Sequence, residues 1–101
     1  MVDAYIFDAV RSPRGKGKKS GSLHEITALS LLTQQLEAIK NRNNLDTSKV
    51  DDIIMGCVSP VAGQGADIAR SAAITANYNQ TAAGVTVNRF CASGLEAVNM
   101  A

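Results

Sequence analysis

The sequence predicts an α/β fold, a parallel β-α-β-α-β core with helices packed on the sheet. Three observations carry this. Apolar runs of strand length alternate with helical stretches along all 101 residues, and parallel neighbours need helical crossovers. The apolar content is 46% of the chain but only 4% is aromatic, with no Trp; Ala, Val, Ile and Leu suit close packing of helix on sheet. Charged residues are 19%, so the chain is neither disordered nor low-complexity. At 10.6 kDa it is one small domain at most.

The elements follow in order. Tyr5-Ile6-Phe7 through Val10 reads as a buried strand, closed by Ser12-Pro13 and a glycine-lysine loop to Gly21. Ser22-Leu23-His24-Glu25 fits a capping box, with Thr27 as a rival cap. Ile26, Leu29, Leu32, Leu36 and Ile39 then recur at spacings of three and four, one face of an amphipathic helix ended by Asn41 to Asn44. Val50 to Val58 is the second strand, and Pro60, Gly63 and Gly65 form the loop after it. Ala66 to Asn77 is an Ala-rich helix, small enough on all sides to sit deep. Gly84 to Val87 is a third strand, Phe90 to Gly94 a turn, and Gly94 to Ala101 the start of another helix. Parallel sheets are normally covered on both faces. Two helices and the start of a third must cover three strands here, so residues 1–101 read as an incomplete domain.

Composition excludes several classes. A formal charge of +1 gives no global attraction to DNA or anionic membrane. Two cysteines make no disulfide scaffold, and one His with no CxxC leaves too few ligands for zinc. The first residues include Asp3 and Asp8, unlike a signal peptide, and no run approaches the roughly 20 apolar residues of a membrane span. A reduced, cytoplasmic setting is expected. Arg11, Arg14, Lys16, Lys18 and Lys19 are five of the ten basic residues; they read as a solvated loop, with phosphate binding as the alternative. Lys19-Ser20 lacks the rest of a P-loop, and Gly63-Gln64-Gly65 is half a dinucleotide fingerprint, read as a turn before a helix cap.

Chemistry concentrates in Val87-Asn88-Arg89-Phe90-Cys91-Ala92-Ser93-Gly94-Leu95. A strand runs into a tight turn, Cys91 sits at the bend, and a helix opens behind it, as in a nucleophile elbow. A helix N-terminus offers free N–H groups and partial positive charge, which favour thiolate over thiol. The same donors can hold an oxyanion when a carbonyl is attacked. Ala92, Ser93 and Gly94 are small and leave room for an acyl group. The competing reading is a buried structural cysteine, as most free cysteines are.

The stretch Asn88 to Asn99 resembles the active-site segment of the thiolases, the acetyl-CoA acetyltransferase and 3-ketoacyl-CoA thiolase family. Asp8 to Gly17, Gly21 to Glu25, Val50 to Val58 and Gly65 to Arg70 resemble further family segments, in the family's order and spacing. Ketoacyl synthases share the fold, but the Phe-Cys-Ala-Ser-Gly-Leu here is similar to thiolase. The resemblance implies a layered αβαβα fold of two similar halves, of which residues 1–101 hold part of the first. It implies that Cys91 takes an acyl group, with its backbone N–H in the oxyanion hole. It implies acyl-CoA and coenzyme A as substrates, no prosthetic group, and thiolytic cleavage of 3-ketoacyl-CoA or condensation of acetyl-CoA, as in fatty acid metabolism. A homo-oligomer, dimer or tetramer, is expected for the full-length protein, with Val85 to Val87 at the subunit interface.

The family's His, Asn motif and second acid/base Cys lie in later parts of a thiolase; Cys57 and His24 do not match them. The polypeptide alone is therefore expected to be inactive in turnover. Two other readings stand beside the enzyme: a non-catalytic association fragment, and a thiolase-like lipid-binding protein.

Overall fold

The computed structural model describes residues 2–101, and the α/β class holds. The regular elements in chain order are α1 (Ala28–Arg42), β1 (Asp52–Gly56), α2 (Ile68–Thr75), β2 (Ala83–Val87) and α3 (Ser93–Met100). Short 3-10 turns at Thr47–Lys49 and Ala62–Gln64 flank β1. β1 and β2 pair in parallel, Ile53 opposite Gly84 and Gly56 opposite Val87, with α2 as the crossover. Cys57 N–H continues the ladder to the Val87 carbonyl at 2.9 Å.

Two expectations are corrected. Tyr5 to Val10 forms no strand. Its apolar run has β-like composition, but a strand also needs a neighbour to complete its ladder, and β1 pairs only with β2 among the described residues. Ile6 and Phe7 are 84% and 94% exposed. The segment is held at Asp8, whose carboxylate accepts from Asn43 Nδ2 at 2.8 Å and meets Arg42 Nε at 3.2 Å. The Asn43 and Ala9 hydrogen bonds and the Arg42 charge hold the Asp8 carboxyl below its usual range. The second correction is the cap of α1. Ser22 to Glu25 lies in a closed turn in which Leu23 N–H donates to Lys16 C=O and His24 N–H to Gly21 C=O. The rival cap forms instead: Thr27 Oγ1 accepts from Ser30 N–H at 3.0 Å.

The core is made of small side chains. Ile53, Ala69, Ala73, Ala76, Tyr78 and Ala82 cluster, with Leu36, Leu45, Val50 and Met55 packed against them. The alanines let α2 lie close on the sheet, and Gly84 completes the fit. A Cβ at Gly84 would come within 2.6 Å of the Arg70 backbone nitrogen. Asp67 caps α2 by accepting from Arg70 N–H, and also accepts from Thr86 Oγ1 at 2.9 Å, tying the helix start to β2. Tyr78 joins this layer to α1, its hydroxyl donating to Leu36 C=O at 2.8 Å. Burial pushes the Tyr78 hydroxyl pKa up.

The other face of the sheet carries α3. Paired residues of parallel strands share a face, and faces alternate along each strand. Ile53 and Met55 face the α1–α2 layer, so Gly56 faces α3. A Cβ at Gly56 would lie 2.4 Å from Ser93 C and 2.6 Å from Gly94 N. The bare backbone of β1 is therefore the seat for the first turn of α3. Among the described residues no helix is long and apolar enough to cross a membrane.

Candidate active site

The turn between β2 and α3 is built from Asn88 to Ala92, and its hydrogen bonds are nearly all internal. Asn88 Oδ1 accepts from Phe90 N–H at 3.0 Å, an Asx turn. Asn88 Nδ2 donates to Val58 C=O at 3.2 Å, tying the turn to the chain leaving β1. Ala92 N–H donates to Arg89 C=O, and Ser93 N–H to Phe90 C=O. Ser93 is 3% exposed. Its hydroxyl donates to Phe90 C=O at 2.6 Å and accepts from Arg89 N–H at 2.8 Å. Phe90 is held at φ 46°, in the left-handed region that costs a bulky residue about 1–3 kcal/mol. The surrounding bonds offset that cost.

Cys91 follows Phe90 and is exposed. In this turn its amide has no acceptor among the described residues, while those of Arg89, Phe90, Ala92 and Ser93 are all occupied. The first turn of α3 begins two residues later, so its positive end faces the bend. Arg89 Nε lies 3.3 Å from Glu96 Oε2. This half-exposed pair adds little stability, but it links the turn to the first turn of α3.

Cys57 is different in every respect. It is buried, and its thiol donates to Gln64 Oε1 at 3.5 Å. It lines a cavity of about 400 Å³ with Arg11, Leu32, Gln35, Gln64 and Ile68, on the α1–α2 side of the sheet. A second cavity of about 590 Å³ lies under Tyr5, Ile6 and Phe7. Neither includes Cys91. The two thiols thus differ in setting, Cys57 buried beside a cavity and Cys91 exposed in the turn between β2 and α3. His24 is in the turn of residues 22–25, its Nδ1 2.9 Å from Gly17 O. The basic loop leaves Arg11 beside Cys57 and not in the Cys91 turn.

Comparison with known proteins gives one consistent result. Residues 4–101 match the thiolase N-terminal domain. The chain belongs to the thiolase family. It is 39% identical over 99 residues to the 3-ketoacyl-CoA thiolase of Psychrobacter sp. (strain PRwf-1), covering 98% of this chain and 25% of that protein. It is 40% identical over 102 residues to the 3-ketoacyl-CoA thiolase of Shewanella loihica, covering 100% of this chain and 26% of that protein. The corresponding protein of Acinetobacter baylyi is 39% identical over 99 residues, 98% of this chain and 25% of the relative. The chain spans about a quarter of the length of the curated relatives it matches.

Within this thiolase chain three residues around the cysteine escaped the sequence reading. Ser93 counted only as a small neighbour, though its hydroxyl makes two hydrogen bonds within the turn. Asn88 carried a usable signal, since Asn two residues before a bend commonly forms an Asx turn. Gly56 ends a strand, where a glycine marks close approach of another backbone.

Proposed function

We propose that Cys91 is the acyl-accepting nucleophile of a thiolase-type acyltransferase. The observation that carries the reading is an exposed thiol with an uncommitted amide, held in a strand-turn-helix bend. In the proposed step the Cys91 sulfur attacks the thioester carbonyl of an acyl-CoA. A bond forms from sulfur to the acyl carbon, the bond to the coenzyme A sulfur breaks, and coenzyme A leaves as its thiol with the proton. The Cys91 N–H donates to the carbonyl oxygen while it carries negative charge. In condensation the acyl group then passes to an acetyl-CoA carbanion. In thiolysis the Cys91 sulfur instead attacks the 3-keto carbon of a 3-ketoacyl-CoA, the C2–C3 bond breaks, and the released acetyl-CoA carbanion takes up the thiol proton. The acyl group then passes from Cys91 to coenzyme A, whose thiol proton returns to the Cys91 sulfur. The names of the 3-ketoacyl-CoA thiolase relatives support this substrate class.

Acyl-CoA and coenzyme A are the only small molecules the scheme requires. A cytoplasmic setting, a place in fatty acid metabolism and a homo-oligomeric full-length protein belong to the same proposal. Proton transfers to leaving and attacking groups typically contribute about 10²- to 10⁴-fold each. The single imidazole of this chain, His24, is bound in another turn, so the 101-residue chain is expected to acylate without turning over. Mass-mapped labelling with acetyl-CoA tests the reading: acetyl should appear on Cys91 and not on Cys57, and vanish in Cys91→Ala. Acetyl on Cys57 alone, or equal labelling of Cys91→Ala, refutes it.

A further inference from the structure

We propose that Ser93 is a positioning residue that aims the oxyanion-binding amide of Cys91. The inference rests on Cys91 being the nucleophile and names what orients its N–H. The Phe90 carbonyl and the Cys91 N–H belong to one peptide plane and, in a trans peptide, point in opposite directions. The chain has no cis peptide among the described residues. Whatever holds Phe90 C=O therefore also sets the direction of Cys91 N–H.

Ser93 holds that carbonyl twice, through its hydroxyl at 2.6 Å and its own N–H at 3.1 Å. The hydroxyl's acceptor side takes Arg89 N–H at 2.8 Å, so both residues before the cysteine are fixed by one side chain. Ser93 is 3% exposed, and water does not compete for these bonds. Phe90 sits at φ 46°, a conformation an unrestrained phenylalanine leaves. Relaxing it would rotate the 90–91 plane and carry the Cys91 amide away from the position an acyl oxygen would take. The backbone bond from Ser93 N–H remains in any substitution, so the hydroxyl is the part that mutation can remove.

The proposal separates two reactions of the same thiol. Attack on a thioester builds negative charge on the carbonyl oxygen and needs the aimed amide. Alkylation by iodoacetamide displaces iodide and builds no oxyanion. In Ser93→Ala, acetylation of Cys91 by acetyl-CoA is expected to fall by roughly 10²-fold, the lower range for loss of one oxyanion donor. Alkylation should stay within about twofold, since the thiol keeps its exposure. Ser93→Thr retains a hydroxyl and should restore acetylation. Equal loss of both reactions, or loss of neither, overturns the proposal.

Should Ser93→Ala lose its cooperative melt, Ser93→Thr decides: wild-type acetylation supports the role and its loss overturns it. An unacetylated wild-type chain would defeat the nucleophile reading instead. The peptide-plane claim is then decided by amide exchange and nitrogen–proton spectra. Arg89 N–H should exchange faster and the Cys91 amide signal should move in Ser93→Ala. Both amides unchanged would overturn it.

Discussion

Thr33 shows what one buried atom costs. It is buried in α1, and its hydroxyl has no hydrogen-bond partner among the described residues. A buried unpaired polar group costs about 1–3 kcal/mol. Valine has the same branching and nearly the same volume without the oxygen. Thr33→Val is therefore expected to stabilise the chain by about 1 kcal/mol. A thermal melt followed by circular dichroism should show a midpoint about 4–8 °C higher, the usual shift for a domain near this size. A lower midpoint would mean that Thr33 has a partner. The contrast with Ser93 is instructive. Both are buried hydroxyls on helices, but only Ser93 meets a donor and an acceptor, both within the turn before the helix.

At the scale of elements, the sheet works because two glycines let helices approach from opposite faces. Gly84 admits α2 and Gly56 admits the start of α3. Gly56→Ala would drive a Cβ into Ser93 and Gly94 backbone, which cannot swing aside as a side chain can. Overpacking of this kind costs about 1–3 kcal/mol. Because the displaced element carries Ser93, acetylation of Cys91 should also fall, with Cys57 still protected. Unchanged stability and acetylation would show that α3 is seated elsewhere.

Local signals made α1, β1, α2, β2 and α3 legible from the letters. Asp67 lies just before an Ala-rich run, and Thr27 carries the letters of a cap before the leucine stripe of α1. Ser22 also carried the letters of a cap, but the Lys16–Ile26 turn consumed the backbone groups that a helix there would need. Tyr5 to Val10 failed because strand composition reports a wish for burial and not the presence of a neighbour. The position of Cys91 was readable because strand, turn and helix starts are local. The part played by Ser93 was not, because it depends on the left-handed Phe90 and on which carbonyl lies above the helix start.

The whole molecule exposes more surface than its mass requires. Its accessible area is 7551 Å², against roughly 5,500 Å² for a folded monomer of this mass. The excess has identifiable sources. The 2–17 segment carries Val2, Tyr5, Ile6 and Phe7 into solvent, and α3 exposes Leu95, Val98 and Met100. The Leu29, Leu32, Leu36 and Ile39 stripe of α1 is only half-buried. No large side chain is fully buried among the described residues. Self-association is the expected response of such surfaces. Light scattering over a concentration series should give a mass that rises with concentration; a constant 10.6 kDa species would contradict this.

At the whole-molecule scale Cys91, as the proposed acyl acceptor, is expected to work once per chain. Coenzyme A thiol released from acetyl-CoA, counted over time against protein concentration, tests that directly. The predicted result is a burst approaching one equivalent per chain that then stops, and that is absent in Cys91→Ala. A burst of the same size in Cys91→Ala, or no release at all from the wild-type chain, would contradict it.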